Sequence, residues 1–328
     1  MAFPFKIPCT VSCCTMLLLT ASLWWLLRKS VHSMATDVFV QGKYQVADIV
    51  VAGEDPLSPP KPLLIVHPTE EGLYPTLVFL HGFSLQNSMY RQLLHHVASH
   101  GFTVVAPQLD NILRSDWMED IKSVAATVDW LPVGLQPKLP EEVLPDLTRL
   151  AIAGHSWGGK LSFALSLGID AKPRLTFSAL LGIEPSDGTA PGVQIDPPVL
   201  TFVPDSLDPK VPVLVVGAAL SSVKREPELP ACAPEGVNHE EFFKECVAPV
   251  FYAVARDYGH VDMLDESVPV TVCAGGDNRE ALRRFVGGIM VAFLKAYLIL
   301  DAHDLNKIFE MPDRVSPVVL STVEMKKN

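Results

Sequence analysis

Gly154-His155-Ser156-Trp157-Gly158 sets a serine between two glycines at a spacing that suits nucleophilic chemistry. The run before it, Leu150-Ala151-Ile152-Ala153, is apolar and strand-like. The run after it, Trp157–Leu167, has a helical pattern. A serine on the sharp turn between two such elements stands above the end of the strand. The first amides of the helix then point at the oxyanion that forms when the hydroxyl attacks a carbonyl. Glycine is needed two places to either side, because a Cβ there would meet neighbouring backbone. The spacing reads Ser156 as a nucleophile for acyl transfer, with the Trp157 amide as one oxyanion donor. The second donor comes from a loop after an earlier strand. Thr76–Leu80 runs into His81-Gly82-Phe83, so that donor is assigned to the Phe83 amide.

The hydroxyl needs a base. The chain has ten histidines, and the base must lie C-terminal to the serine, after the last parallel strand. His260, in Asp257-Tyr258-Gly259-His260-Val261-Asp262, does so on a loop before the final long helix. His239 reads as part of a helix start and His303 lies beyond the closing helix. His155 neighbours the serine in sequence, but the turn should point its side chain elsewhere. The acid that fixes the base's tautomer has two candidates. The strand Val211–Val216 runs into Gly217-Ala218-Ala219 and offers no carboxylate until Glu226. The preceding strand ends in Ile183-Glu184-Pro185-Ser186-Asp187. Glu184 is the preferred acid and Asp187 the alternative, either acting from one strand nearer the nucleophile. No metal or cofactor is required for such chemistry.

Positioning these groups takes a sheet. Val46–Ala52, Leu63–Val66, Thr76–Leu80, Phe102–Pro107, Leu150–Ala153, Phe177–Ile183, Val211–Val216 and Val250–Ala255 read as strands. Helices are expected at Asn87–His100, Trp117–Trp130, Trp157–Leu167 and Arg279–Leu300. Short apolar runs alternating with helices imply a mostly parallel sheet flanked by helices. With the strand-turn-helix serine, that predicts an α/β-hydrolase fold in a single domain. The stretch Leu109–Leu147 between two core strands could form a cleft rim or an ordinary crossover.

Composition narrows the partners. Of 328 residues, 48% are hydrophobic and 19% charged, enough for a large core. A net charge of −11 without a basic stripe excludes nucleic acid as a partner. Six cysteines do not make a disulfide scaffold in a chain of this length. Cys232 and Cys246 flank a predicted helix and either pair or remain ordinary thiols.

Residues 1–36 form a separate segment, ahead of a catalytic domain over 37–328. Ile7–Leu27 carries no charge and Arg28-Lys29 follow directly. An anchor, a cleaved signal and a transit segment compete. Arg28-Lys29 argue against cleavage there, and the lack of an earlier arginine argues against transit. The preferred reading is a membrane anchor that keeps the catalytic body cytosolic. Met34 as a second start would make the segment optional.

Several longer stretches are more specific than the serine motif. They include Tyr74-Pro75 before His81-Gly82, Leu94-His95-His96, Val105-Ala106-Pro107-Gln108-Leu109 and Asp129-Trp130-Leu131-Pro132. Cys232-Ala233-Pro234-Glu235-Gly236-Val237-Asn238-His239, Asp257-Tyr258-Gly259-His260 and Arg283-Arg284-Phe285-Val286-Gly287-Gly288 complete the set. On these the chain resembles the plant-type chlorophyllases from about Val38 to Leu298. The resemblance implies hydrolysis of the phytyl ester of chlorophyll to chlorophyllide and phytol, with Ser156 as nucleophile and His260 as base. It implies a hydrophobic ester as partner and a plastid address as alternative to the endomembrane anchor. The family's acid falls on Glu184, where members usually carry aspartate. Trp157 stands where they usually carry arginine. A broad-specificity carboxylesterase or lipase with the same machinery is the alternative function.

Overall fold

Strand β3 (Gly72–Leu80) shows how the core is organised. Leu77 and Phe79 join one hydrophobic cluster, and Val78 and Leu80 join a second. Successive side chains leave a strand on opposite faces, so a run apolar at every position must be covered on both sides. Strand β5 (Val143–His155) repeats the pattern: Ala151 and Ala153 face one cluster, Leu150 and Ile152 the other. Each such aliphatic side chain taken fully from water contributes about 1.5–3 kcal/mol.

The computed structural model describes Met1 and residues 37–52, 57–109 and 117–327. The apolar segment, with its anchor reading and Cys9, Cys13 and Cys14, lies outside the described residues. Asp37–Asn328 forms one compact unit. Among the described residues its sheet has nine strands, in the order β1-β2-β4-β3-β5-β6-β9-β10-β11. The remaining members are β1 (Val46–Val51), β2 (Leu63–Pro68), β4 (Thr103–Pro107), β6 (Ala179–Ile183), β9 (Val213–Ala218), β10 (Val250–Ala255) and β11 (Leu320–Lys326). From β4 to β10 all neighbours are parallel. Antiparallel β1, β2 and β11 close the two edges. A small hairpin, β7 (Gly188–Ala190) and β8 (Val193–Gln194), stands beside the sheet.

Helices α1 (Arg91–Ser99) and α5 (Arg279–Leu298) cover one face. Helices α2 (Trp117–Gly134), α3 (Trp157–Leu167) and α4 (His239–Glu245) cover the other, and the short α6 (His303–Glu310) and α7 (Pro312–Val315) follow α5. This is the α/β-hydrolase architecture expected from the alternating pattern.

The differences from the sequence reading are local. Helix α2 continues past Trp130 through Pro132 to Gly134. Proline's fixed φ is helix-compatible and removes one donor near the helix end. Strand β5 begins at Val143, seven residues earlier than the apolar run, because ladder pairing with β3 carries through polar positions with a shift at Pro75. Edge strand β11 went unread, since its half-exposed residues make no apolar run.

Candidate active site

The turn between β5 and α3 is sharp because two glycines let backbone meet backbone. A Cβ on Gly154 would lie 2.1 Å from the Gly158 carbonyl oxygen, and one on Gly158 would lie 2.2 Å from that of Leu80. Between them Ser156 takes φ 56°, ψ −119°, a conformation that L-residues rarely hold. Its amide donates to the Ile183 carbonyl at 3.0 Å, tying the turn to the end of β6.

Three groups meet above the strand ends. Ser156 Oγ lies 2.8 Å from His260 Nε2. His260 Nδ1 lies 2.9 Å from Glu184 Oε2. Glu184 follows β6 directly, is 1% exposed, and itself has a positive φ of 51°. Its amide donates to the Val216 carbonyl at 2.7 Å, and its Oε1 accepts from the Ala218 amide. The carboxylate thus spans from one strand end to the next. Burial raises the Glu184 carboxyl above its ordinary value, opposed by His239, by the Ser221 hydroxyl and by the Ala218 amide. Burial also pulls His260 down to about 4, so the ring is neutral and able to accept a proton at neutral pH. The His260 loop is pinned by Asp262, whose carboxylate accepts from the Gly259 amide at 2.8 Å and the Gly276 amide at 2.7 Å.

Asp187 has a different environment. Its carboxylate pairs with Lys160 Nζ at 2.7 Å and accepts from the Val199 and Leu200 amides and from Gln194. The two candidate acids are therefore parted: Glu184 reaches His260, and Asp187 binds a lysine of α3. His303 lies in α6. His155 lies against the base, its ring centroid 4.8 Å from that of His260, at the same cleft as Ser156. Its Nε2 is 2.8 Å from the His260 carbonyl oxygen, and its Nδ1 is 2.7 Å from the Tyr90 hydroxyl. The Gly82 amide donates to that same hydroxyl at 3.0 Å. Burial first, then the neighbouring His260, holds the His155 ring well below its ordinary value.

Trp157 heads α3, so its amide is in the first turn, where N–H groups point out of the helix toward the serine. Its indole donates to Asp120 at 3.3 Å and lies 4.9 Å from the Lys160 ammonium. Phe83 stands in the turn closed by the Leu85 amide on the Gly82 carbonyl, at the other side of the same cleft. The cleft, about 640 Å³, has Ser156 and His260 on its floor and Phe83, Leu85, Ile195, Leu264, Val268 and Val272 among its walls. Its described walls come from the loops after β3, β6 and β10 and from the stretch around Cys232. The described residues of Leu109–Leu147 are not among them.

One cysteine expectation is corrected. Cys232 pairs with Cys273, and Cys246 is a buried free thiol. Sequence proximity pointed to Cys246, but Cys246 ends α4 inside the core, whereas both partners of the bond lie at the cleft wall. The bond joins the 230–234 and 268–273 walls. Sequence reasoning also missed Lys160. A lone charge in an otherwise apolar helix was the available signal, and such a group is tolerated only when paired.

Fold and chemistry together define a class: an α/β-hydrolase whose half-buried serine meets a histidine that is backed by a carboxylate. Comparison with known proteins gives the family. The family model described as Chlorophyllase matches residues 34–327. The chain is 48% identical over 277 residues to chlorophyllase-2 of Arabidopsis thaliana, covering 82% of this chain and 87% of that one. It is 42% identical over 301 residues to chlorophyllase-1, chloroplastic, of Citrus unshiu, covering 88% of each. With chlorophyllase type 0 of Chenopodium album the identity is 39% over 299 residues, or 86% of this chain and 85% of that one. The chain belongs to the chlorophyllase family and is a carboxylic-ester hydrolase of that type.

Proposed function

We propose that this protein cleaves the phytyl ester of chlorophyll with Ser156 as nucleophile, His260 as base and Glu184 as the acid that orients it. The observation that carries the reading is the unbroken Ser156–His260–Glu184 line on the floor of an apolar cleft. His260 Nε2 takes the Ser156 proton as Oγ attacks the ester carbonyl. The charge that develops on the carbonyl oxygen falls to the Phe83 and Trp157 amides, and removing one such donor typically costs 10²–10³-fold. Collapse of the tetrahedral intermediate breaks the ester bond, and His260 returns the proton to the leaving phytol oxygen. Water, deprotonated by His260, then attacks the acyl-enzyme and frees the propionate of the ring. Both halves of the substrate are apolar, which suits walls built from Leu85, Leu264, Val268 and Val272.

Residues 1–36 are proposed as a targeting or anchoring segment ahead of the catalytic domain at 37–328. Its uncharged run supports membrane attachment. The word chloroplastic in the names of two Citrus relatives supports a plastid address instead. Among the described residues no helix is long and apolar enough to cross a membrane. Fluorescent fusions of the whole chain and of 37–328 distinguish these locations.

The decisive experiment incubates the purified protein with chlorophyll a and separates chlorophyllide by chromatography. Product formation that is abolished in Ser156→Ala supports the reading. Turnover of a p-nitrophenyl ester without chlorophyllide would assign a broad-specificity carboxylesterase.

A further inference from the structure

Glu184 has a second histidine behind it. His239 begins α4 on the far side of the carboxylate from His260, and its Nε2 lies 3.6 Å from Glu184 Oε1. That is too long for a hydrogen bond and close enough for a ring N–H dipole to act on a buried charge. The other nitrogen, Nδ1, lies 2.8 Å from the Tyr252 hydroxyl on β10. An anion on one side favours the tautomer with its proton on Nε2. Tyr252 Oη–H then donates to Nδ1, and the imidazole turns its positive edge to Glu184.

The site is built to hold this ring. Gly217 of β9 carries no side chain, and a Cβ there would lie 2.5 Å from the imidazole. Tyr252 is stacked on Phe243 with ring centroids 4.5 Å apart. His239 itself is 7% exposed. Beyond it opens a second cavity of about 490 Å³, lined in part by Glu235, Glu240, Lys244, Tyr252 and Glu324.

We propose that His239, held by Tyr252, is a positioning residue of the reaction: it keeps the Glu184 carboxylate ionised and aimed at His260. This rests on the reading of Glu184 as the catalytic acid. A carboxylate with almost no access to water needs donors to stay charged. The Ala218 amide, the Ser221 hydroxyl and His260 donate to it, and the His239 ring adds a longer-range dipole from the side that Ser156 does not reach. The groups facing His239 are Glu184 and His260 across the strand ends, Glu240 on its own helix and Tyr252 on β10; Glu241 and Glu324 stand near that hydroxyl. Asp262, in the base loop, adds negative charge near Glu184 and opposes its ionisation. Burial pulls the His239 ring below its ordinary value, with Glu184, Glu240 and a hydrogen bond to the Ala218 backbone opposing, so it acts as a neutral ring whose N–H is shared between Glu184 and that backbone.

The test measures kcat against pH for hydrolysis of p-nitrophenyl acetate by the full chain. His239→Leu removes the ring N–H and should lower kcat by up to about tenfold on the acid limb of the profile, with KM little changed. The loss should shrink as pH rises, because Glu184 then ionises without help. The acid limb should therefore move to higher pH, by about one unit for a tenfold effect. His239→Gln, which keeps an N–H near the Nε2 position, should restore the limb. Tyr252→Phe should shift it in the same direction by less. In a Glu184→Gln background, His239→Leu should add no further loss. An unshifted limb in folded Tyr252→Phe and His239→Leu, or a His239→Gln as impaired as His239→Leu, would overturn the proposal. Full activity of Glu184→Gln would instead overturn the assignment of the acid on which it rests.

Discussion

Lys160 Nζ lies 2.7 Å from Asp187 Oδ1, and both side chains are shielded completely from water. This pair fastens α3, the helix that begins at the nucleophile, to the loop that leads into the β7–β8 hairpin. Lys160 also donates to the Ile195 carbonyl, on the strand's exit toward the cleft wall. Burial lowers the Lys160 ammonium from its ordinary value, and Asp187, with Asp196 behind it, opposes that.

Glu184 and Asp187, three residues apart, should therefore fail in different ways. Glu184→Gln is expected to lower kcat about 10⁴-fold, the loss seen when the acid of such a triad is neutralised, with little change in melting temperature. Asp187→Asn leaves a buried lysine unpaired and should cost about 3–5 kcal/mol of stability. The protein that remains folded should keep most of its turnover. Urea unfolding and p-nitrophenyl acetate kinetics on both variants decide the matter; a 10⁴-fold loss in folded Asp187→Asn would exchange their roles.

The glycine-flanked turn gives a steric prediction. Gly158→Ala drives a Cβ to 2.2 Å from the Leu80 carbonyl oxygen, and Gly154→Ala brings one to 2.1 Å from that of Gly158. Neither backbone can yield without moving Ser156. Both variants should lose labelling by a fluorophosphonate probe, including in the fraction that folds. Gly192→Ala is the control: its φ is +77° but nothing lies within 4 Å of the new Cβ. It should cost about 1–2 kcal/mol for the left-handed backbone alone and label normally.

Stability should fall with acid before the carboxylates titrate. Burial holds His81, His96 and His260 at about 4, against an ordinary value of 6.5. The unfolded chain takes up these protons first, so stability is full above about pH 6.5 and declines as pH drops toward 4. At pH 5 the penalty is on the order of 2 kcal/mol per residue. Melting temperatures at pH 7.5, 6 and 5 should record the decline. His96→Gln, remote from the serine, should flatten it; an identical slope in that variant would count against the account.

The disulfide gives a fourth expectation. Cys232 and Cys273 close a loop with a sequence separation of 41. Constraining a loop of that size stabilises by about 4 kcal/mol in the chain-entropy treatment. Reduction, or Cys273→Ser, should lower the melting temperature accordingly. Alkylation of the native protein with reductant present should mark Cys232 and Cys273 and spare Cys246, whose thiol burial pushes far up. Marking of Cys246 at the same rate would contradict its place in the core.

Much of the site could be read without coordinates. Gly154, Ser156 and Gly158 declare a nucleophilic turn because steric need and sequence coincide within five residues. His260 follows from its order in the chain, after the last parallel strand and before the long helix. The strands that hold them end in unbroken apolar runs, and only burial on both faces accounts for that. Illegible were the relations between residues far apart. Cys246 lies nearer Cys232 in sequence, yet the bond goes to Cys273. His239 read as a helix start, and its place behind Glu184 appears only when β9 and β10 lie side by side.

The sequence by itself determined the fold class and the kinship with chlorophyllases and singled out the serine and histidine proposed as nucleophile and base, because each is written in local spacing or in the order of elements. The tertiary structure decided which of two neighbouring carboxylates meets the base, which cysteines bond and what lies behind the acid. Those outcomes depend on side-chain reach across the ends of adjacent parallel strands. That geometry is set by the register of the assembled sheet, which no short stretch of chain encodes.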